Sequence, residues 1–214
     1  MSAPGIFIIA METLKIFAGS INERHIAKAV DVLRDGGIIV YPTDTLYAFG
    51  CDALNRRAIE KLCQAKGLNP DKNLLSIACA DISQAAEYAR IDNKAFGIIR
   101  RYLPGPFTFI LPASTKLPKA FRGRKTVGVR VPDNEIAQAL ARALGNPLLT
   151  SSVSVDEDNP ELAADPDSIA LAYGHIADVV IDGGEGATEA STIVDITDPA
   201  SPEVIREGLG QFDE

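Results

Sequence analysis

Apolar and polar positions along this 214-residue chain switch repeatedly between two periods. Between residues 22 and 35, Ile26, Ala29, Val30 and Leu33 recur at three- and four-residue steps and mark one face of a helix. Asn22 stands where an N-cap is wanted, and Gly36-Gly37 supplies the stop. Ile38-Ile39-Val40-Tyr41 is a continuous apolar run ending at Pro42, the pattern of a buried strand. Asn55 offers a second cap, for a helix from Arg56 to about Ala65 that ends before Gly67. Strand-like runs follow at 74–79, 107–111, 126–131, 148–153, 177–181 and 192–196, and helical patterns at 82–89, 93–102, 134–144 and 167–173. Strands interleaved with helices, without a repeat or a Gly/Ser linker, predict one α/β domain around a mixed or parallel sheet.

Composition narrows the class. Apolar residues at 46% and charged residues at 23% are the proportions of a chain able to bury a core. No apolar run approaches the ~18 residues of a bilayer span, so no membrane partner is expected. The apolar segment Gly5–Ala10 has no basic residue before it and is too short for a signal peptide. Cys51, Cys63 and Cys79 are odd in number and form no C-x-x-C pair, which points away from a disulfide framework and towards a reducing, cytoplasmic setting. With only His25 and His175, a multi-histidine metal site is excluded.

The net charge of −8 hides a strong polarity. From Lys94 to Val131 there are nine basic residues and no acid; from Asp156 to Glu214 there are sixteen acids and one base, Arg206. A basic stretch in an acidic chain suggests a local anion site for nucleotide phosphates or an RNA backbone, although a solvated face accounts for many such side chains.

Several segments concentrate chemistry. Tyr41-Pro42-Thr43-Asp44-Thr45-Leu46-Tyr47 leaves the end of a buried strand, where α/β folds place ligands; its hydroxyls could equally satisfy the loop's own backbone. Lys66 and Lys72 bracket a turn after the second helix, where a lysine also complements the helix dipole. Pro104-Gly105-Pro106 is a rigid turn feeding a strand, with Thr108 left unassigned. In Val127-Gly128-Val129-Arg130-Val131 the period of two sets Arg130 opposite Val129 and Val131, as a bidentate oxyanion clamp or a surface arginine. Thr150-Ser151-Ser152-Val153-Ser154 and Ser191-Thr192 put hydroxyls at strand ends, and Arg206-Glu207-Gly208 follows. No histidine stands at a spacing that makes these serines a hydrolase triad. A P-loop and a Rossmann glycine fingerprint are both missing.

The order Y-P-T-D-T-x-Y, K-G-x, P-G-P-x-T-x-I-L, G-x-R-x-P, T-S-S, S-T-I-V-D and R-x-G resembles the YrdC/YciO family, the catalytic domain of threonylcarbamoyl-AMP synthases. The likeness runs from Ile16 to Gly208, which implies a single YrdC-like domain over 16–208, an extension over 1–15 and a tail over 209–214. The fold implied is α/β, with a twisted mixed sheet, flanking helices and a large basic concave cavity. The reaction implied joins L-threonine, bicarbonate and ATP into threonylcarbamoyl-AMP and pyrophosphate, for threonylcarbamoyladenosine formation in tRNA, with Mg2+ as a companion of the ATP. By this resemblance Thr43, Tyr47 and Arg130 hold threonine or its carbamate and Lys66 meets phosphate. Thr150, Ser152 and Arg206 complete the nucleotide pocket with Ser191 nearby, and Lys66 and Arg130 are the expected catalytic pair. Synthase members carry K-x-R and S-x-N motifs; here Leu68 stands at the Arg position and Ser154 at the Asn position, as in the YciO-like branch. That branch implies the alternative of a nucleotide- or double-stranded-RNA-binding protein without appreciable synthase activity, using the basic 94–131 stretch. The resemblance carries no oligomeric state.

Overall fold

The computed structural model describes residues 11–121 and 125–213. The segment Gly5–Ala10, most of the expected N-terminal extension, Arg122, Arg124 and Glu214 lie outside the described residues.

The helices begin where the sequence provides side-chain acceptors. Asn22 accepts from the Arg24 and His25 amides at the start of α1 (Glu23–Arg34). Asn55 does the same for Arg57 and Ala58 in α2 (Arg56–Ala65), and Asn134 for Ile136 and Ala137 in α5 (Glu135–Leu144). Asp81, Asp92 and Asp165 cap α3 (Ile82–Tyr88), α4 (Asn93–Ile99) and α6 (Pro166–Tyr173). Each such cap satisfies amides that the first turn leaves free, typically worth about 1 kcal/mol. Gly145 closes α5 at φ +80°, a left-handed conformation that a residue with a Cβ adopts poorly. The helical pattern at 93–102 ends as a helix at Ile99 and continues as turns through Tyr102.

The strands are β1 (Glu12–Lys15), β2 (Ile39–Tyr41), β3 (Ala48–Asp52), β4 (Ser76–Ala78), β5 (Phe107–Pro112), β6 (Thr126–Arg130), β7 (Leu148–Ser152), β8 (Val179–Asp182), β9 (Thr192–Asp195) and β10 (Glu203–Arg206). They form one mixed sheet in the order β1-β8-β2-β3-β7-β4-β6-β5-β9-β10. Three of these strands were not expected. β1 is a four-residue edge strand inside the segment read as an extension, pairing parallel with β8 and burying only Leu14. β3 contains Ala, Gly and Asp, poor strand formers, and reads as the continuation of the Tyr41–Tyr47 loop. β10 is exposed throughout, so it carries no alternation. The segment read as a tail also docks: Leu209 N donates to Ala190 O, and Phe212 packs on Tyr102 and Phe109.

Register gives the two faces of the sheet different characters. One face is apolar across its width: Val40, Phe49, Leu149, Ile77, Val129, Phe109 and Val194 join one core with Leu62 of α2, Ala85 of α3 and Ile99 of α4. The other face changes halfway. From β1 to β7 it presents Leu14, Ile181, Ile39, Ala48 and Leu148, covered by Ile26, Val30 and Leu33 of α1 and Ile136, Leu140 and Leu144 of α5. Beyond Leu148 it turns polar. Ser76 lies opposite both Thr150 and Gly128, and Ile193 lies opposite both Thr108 and Arg206. Arg130, two residues after Gly128, shares this side, away from Val129 and Val131, as the period of two requires.

Candidate functional site

The polar half of that face is the floor of a cavity of about 210 Å³. Glycine shapes it at two places. A Cβ on Gly128 would run into Ser76 Oγ and come within 3.0 Å of Thr108 Cγ2, so only glycine leaves β4, β6 and β5 this close-set floor. A Cβ on Gly50 would stand 2.8 Å from Tyr41 Cε1. The bare backbone of β3 therefore lets the Tyr41 ring cross it, and Tyr41 Oη and Thr150 Oγ1 share a buried hydrogen bond of 2.8 Å. Burial pushes the Tyr41 hydroxyl up to about 12, so it stays protonated over the physiological range.

Two guanidinium groups enter this cavity from different strands. Arg130 Nη2 donates to Asp44 Oδ1 at 3.0 Å and to Thr45 Oγ1 at 2.9 Å. The side chains of Arg130 and Asp44 are only 4% and 9% exposed, which makes this a desolvated ion pair. Arg130 Nε and Asp44 Oδ2 are buried without hydrogen-bond partners. Arg206 Nη2 donates to Ser191 O at 2.6 Å, while Ser191 Oγ and Thr108 Oγ1 share a bond of 2.9 Å. Gly208 permits this fit, since a Cβ there would strike Ala190 O and the Ser191 backbone. Burial first, and the like charge of Arg130 second, lower the Arg206 pKa from its ordinary value. Both guanidinium side chains line the same cavity, so an anion between them would offset their like charge.

Of the residues expected from sequence, Arg130, Thr150, Ser152, Ser191 and Arg206 all line this cavity. Lys66, the C-cap of α2, is not among the lining residues; its Nζ lies 5.0 Å from the centre of the Phe49 ring and 3.4 Å from Ser154 Oγ. Burial lowers its pKa. Thr43 and Tyr47 are not among the lining side chains. Thr43 Oγ1 donates to Leu46 O at 2.7 Å and accepts from Thr45 N, which locks the loop that carries Asp44. Tyr47 Oη donates to Gly184 O at 2.6 Å and accepts from Gly183 N, which clamps the turn after β8. Sequence reasoning left out Ser76 of the lining, gave Thr108 no role, and named Tyr41 and Gly128 only as members of their motifs. The available signal was a polar or small residue at every second position of otherwise apolar strands.

The lining also includes the apolar side chains of Leu62, Leu68, Leu74 and Leu75. Leu68 thus lines the cavity. Among the described residues no carboxylate lines the cavity, and no group of three or more His, Cys, Asp or Glu could hold a metal. A protein-held Mg2+ does not fit this donor set, since that ion wants carboxylate or other hard oxygen ligands. A larger groove, about 530 Å³, lies between α3 and α4. Its Asp81 and Asp92 are engaged by the Gln84 and Ala95 amides. The basic stretch does not act as one surface: Lys116 is paired with Glu87 at 2.8 Å and Arg130 is buried, whereas Lys94, Arg100, Arg101, Lys119 and Lys125 are exposed. Among the described residues no helix is long and apolar enough to cross a membrane.

A mixed sheet with flanking helices, whose half-polar face gathers two arginines and a row of hydroxyls, defines an α/β domain with a polar, arginine-bearing cavity. The family model described as telomere recombination, Sua5/YciO/YrdC, matches residues 31–208. The chain belongs to this family. It is 39% identical over 191 residues to the uncharacterized protein YciO of Escherichia coli, covering 88% of this chain and 91% of that one. The crystal structure of E. coli YciO superposes with a TM-score of 0.85 at 37% identity, over 94% of this chain and 97% of that one. The threonylcarbamoyl-AMP synthase of Coxiella burnetii is 31% identical over 191 residues, 89% of this chain and 98% of its own. The structure of Pyrococcus abyssi Sua5 complexed with L-threonine matches with a TM-score of 0.78 at 30% identity, over 92% of this chain and 57% of that one.

Proposed function

We propose that this chain forms threonylcarbamoyl-AMP and pyrophosphate from L-threonine, bicarbonate and ATP in the cytoplasm, supplying threonylcarbamoyladenosine formation in tRNA. The carboxylate oxygen of N-carboxythreonine attacks the α-phosphorus of ATP, the bond to the bridging oxygen breaks, and pyrophosphate leaves. Such a reaction needs anions assembled and held in line more than it needs a general base. Arg130 and Arg206 supply the positive charge, and Thr150, Ser152 and Ser191 supply hydroxyl donors. Lys66 meets phosphate. Thr43 and Tyr47 act on threonine through the loops they lock, by holding Asp44 and the turn after β8 in place. Mg2+ would arrive on the nucleotide phosphates. The observation that carries this reading is the convergence of Arg130 and Arg206 on one polar-floored cavity. The family's synthase members and the L-threonine complex of Sua5 add support.

The test is pyrophosphate release from ATP by purified protein. The expected result is release that requires both threonine and bicarbonate and falls at least tenfold in Arg130→Ala and Lys66→Ala. Release that ignores threonine, or that survives both substitutions, would sink the proposal. The exposed Lys94, Arg100, Arg101, Lys119 and Lys125 favour a second reading beside it, contact with duplex RNA through phosphates.

A further inference from the structure

The cavity is charged for one anion. Arg130 and Arg206 bring two positive charges, and Asp44 neutralises one of them at 3.0 Å. Lys66 Nζ lies over the Phe49 ring and against Ser154. The apolar part of the lining is leucine, from Leu62, Leu68, Leu74 and Leu75, and offers a chain of phosphates no donor. At about 210 Å³ the cavity is also smaller than the ~300–1,000 Å³ usual for sites that bury a whole ligand. Its size and charge suit a single phosphate on the hydroxyl floor, with an apolar or flat group against the leucines.

We infer that this site is selective for a nucleotide with one phosphate, a nucleoside 5′-monophosphate or an acyl adenylate, over nucleoside triphosphates, and that Leu68 sets this preference. The inference rests on the nucleotide reading above and adds which state of the nucleotide the site holds best. A mixed anhydride of AMP carries one phosphate charge, which the unneutralised arginine matches. The two further phosphates of ATP would lie against the leucine wall, where losing water without gaining a donor is unfavourable. Any synthase turnover then proceeds with weak capture of ATP and firm retention of the adenylate.

Isothermal titration of the full chain with AMP, ADP and ATP, with and without Mg2+, reads this preference directly. The expected order is AMP at least as tight as ADP, and ADP at least as tight as ATP. In Leu68→Arg, ATP should tighten by about ten- to a hundred-fold, the worth of one charge-assisted hydrogen bond, while AMP changes by less than about threefold. Leu68 is only partly buried, so the variant should fold; thermal unfolding checks this, and Leu74→Arg, from the same wall, is the second variant. Wild-type protein that binds ATP more than about tenfold tighter than AMP overturns the inference and leaves the nucleotide reading standing. Wild-type protein that binds none of the three overturns both. An ATP affinity unmoved in both folded variants shows that the wall does not set the preference and also overturns it.

Discussion

Asp44→Asn probes the buried ion pair behind the cavity's Arg130 with almost no change of shape. The asparagine can still accept from Arg130 Nη2, but the compensating charge is gone. Arg130 would then be a cation with a 4% exposed side chain and an Nε already without a partner. Removing one member of a buried pair costs about 3–5 kcal/mol, because the survivor stays desolvated. For a chain of this size each kcal/mol moves the midpoint by roughly 2–4 °C, so Tm should fall by about 6–20 °C. Calorimetry on wild type, Asp44→Asn, Arg130→Met and the double variant closes a cycle. The double variant should recover at least half of the loss, since it leaves no charge unpaired. Phosphate bound in the cavity that Arg130 lines should also stabilise Asp44→Asn more than wild type, by mass action. A fall below about 3 °C, or a double variant no more stable than Asp44→Asn, would refute the claim that this pair is isolated from water.

Tyr41 and Tyr47 both have hydroxyls raised to about 12 by burial, above an ordinary value of 10. The folded state therefore holds these protons more firmly, and the stabilisation is whole below pH ~10 and lost as pH climbs through ~12, roughly 2–3 kcal/mol apiece. Guanidinium midpoints measured across that window should drop, and Tyr41→Phe should remove about half of the slope; a flat profile contradicts the burial argument. Leu68→Arg, alone or with Ser154→Asn, should raise threonine-dependent pyrophosphate release by about ten- to a hundred-fold. No gain in either folded variant counts against Leu68 as the limit. Duplex RNA should bind weakly and release between low and physiological salt, and charge reversal at Lys119, Arg122, Arg124 and Lys125 should abolish binding without altering AMP affinity. Filter binding that survives the reversals, or ignores salt, would mean a solvated face.

Helices were legible because their information is local. Asn22 and Asn55 announce their amide partners two and three residues on, and Ile26, Ala29, Val30 and Leu33 repeat within one element. The strands with β-branched runs, such as Val127–Val131, were legible for the same reason. β3 was not, because Gly50 is there for the ring of Tyr41, a neighbour supplied by another strand. The cavity divides in the same way. Arg130, Thr150, Ser152, Ser191 and Arg206 were named through a resemblance in motif order, whereas Ser76 gains meaning only once register sets it opposite Gly128, and Thr108 once its methyl is seen beside that glycine. Thr43 and Tyr47 look like ligand contacts in sequence, being hydroxyls near a strand end. Their bonds to Leu46 O and Gly184 O show hydroxyls committed to loop geometry.

One of the two cavity arginines rides on a selvage. β10 is hydrogen-bonded to β9 alone, its four residues are exposed, and its pairing slips between Val204 and Arg206. Such a margin frays more readily than the strands inside it, and its irregular step keeps a second molecule from knitting onto the free edge. Whenever β10 lifts, the cavity loses Arg206 and with it half of its guanidinium charge. Seating an anion between Arg130 and Arg206 therefore stitches the hem of the sheet, and amide exchange of Val204–Arg206 should slow on binding more than that of the buried β2. Occupancy of the site and order at the molecule's border become one equilibrium.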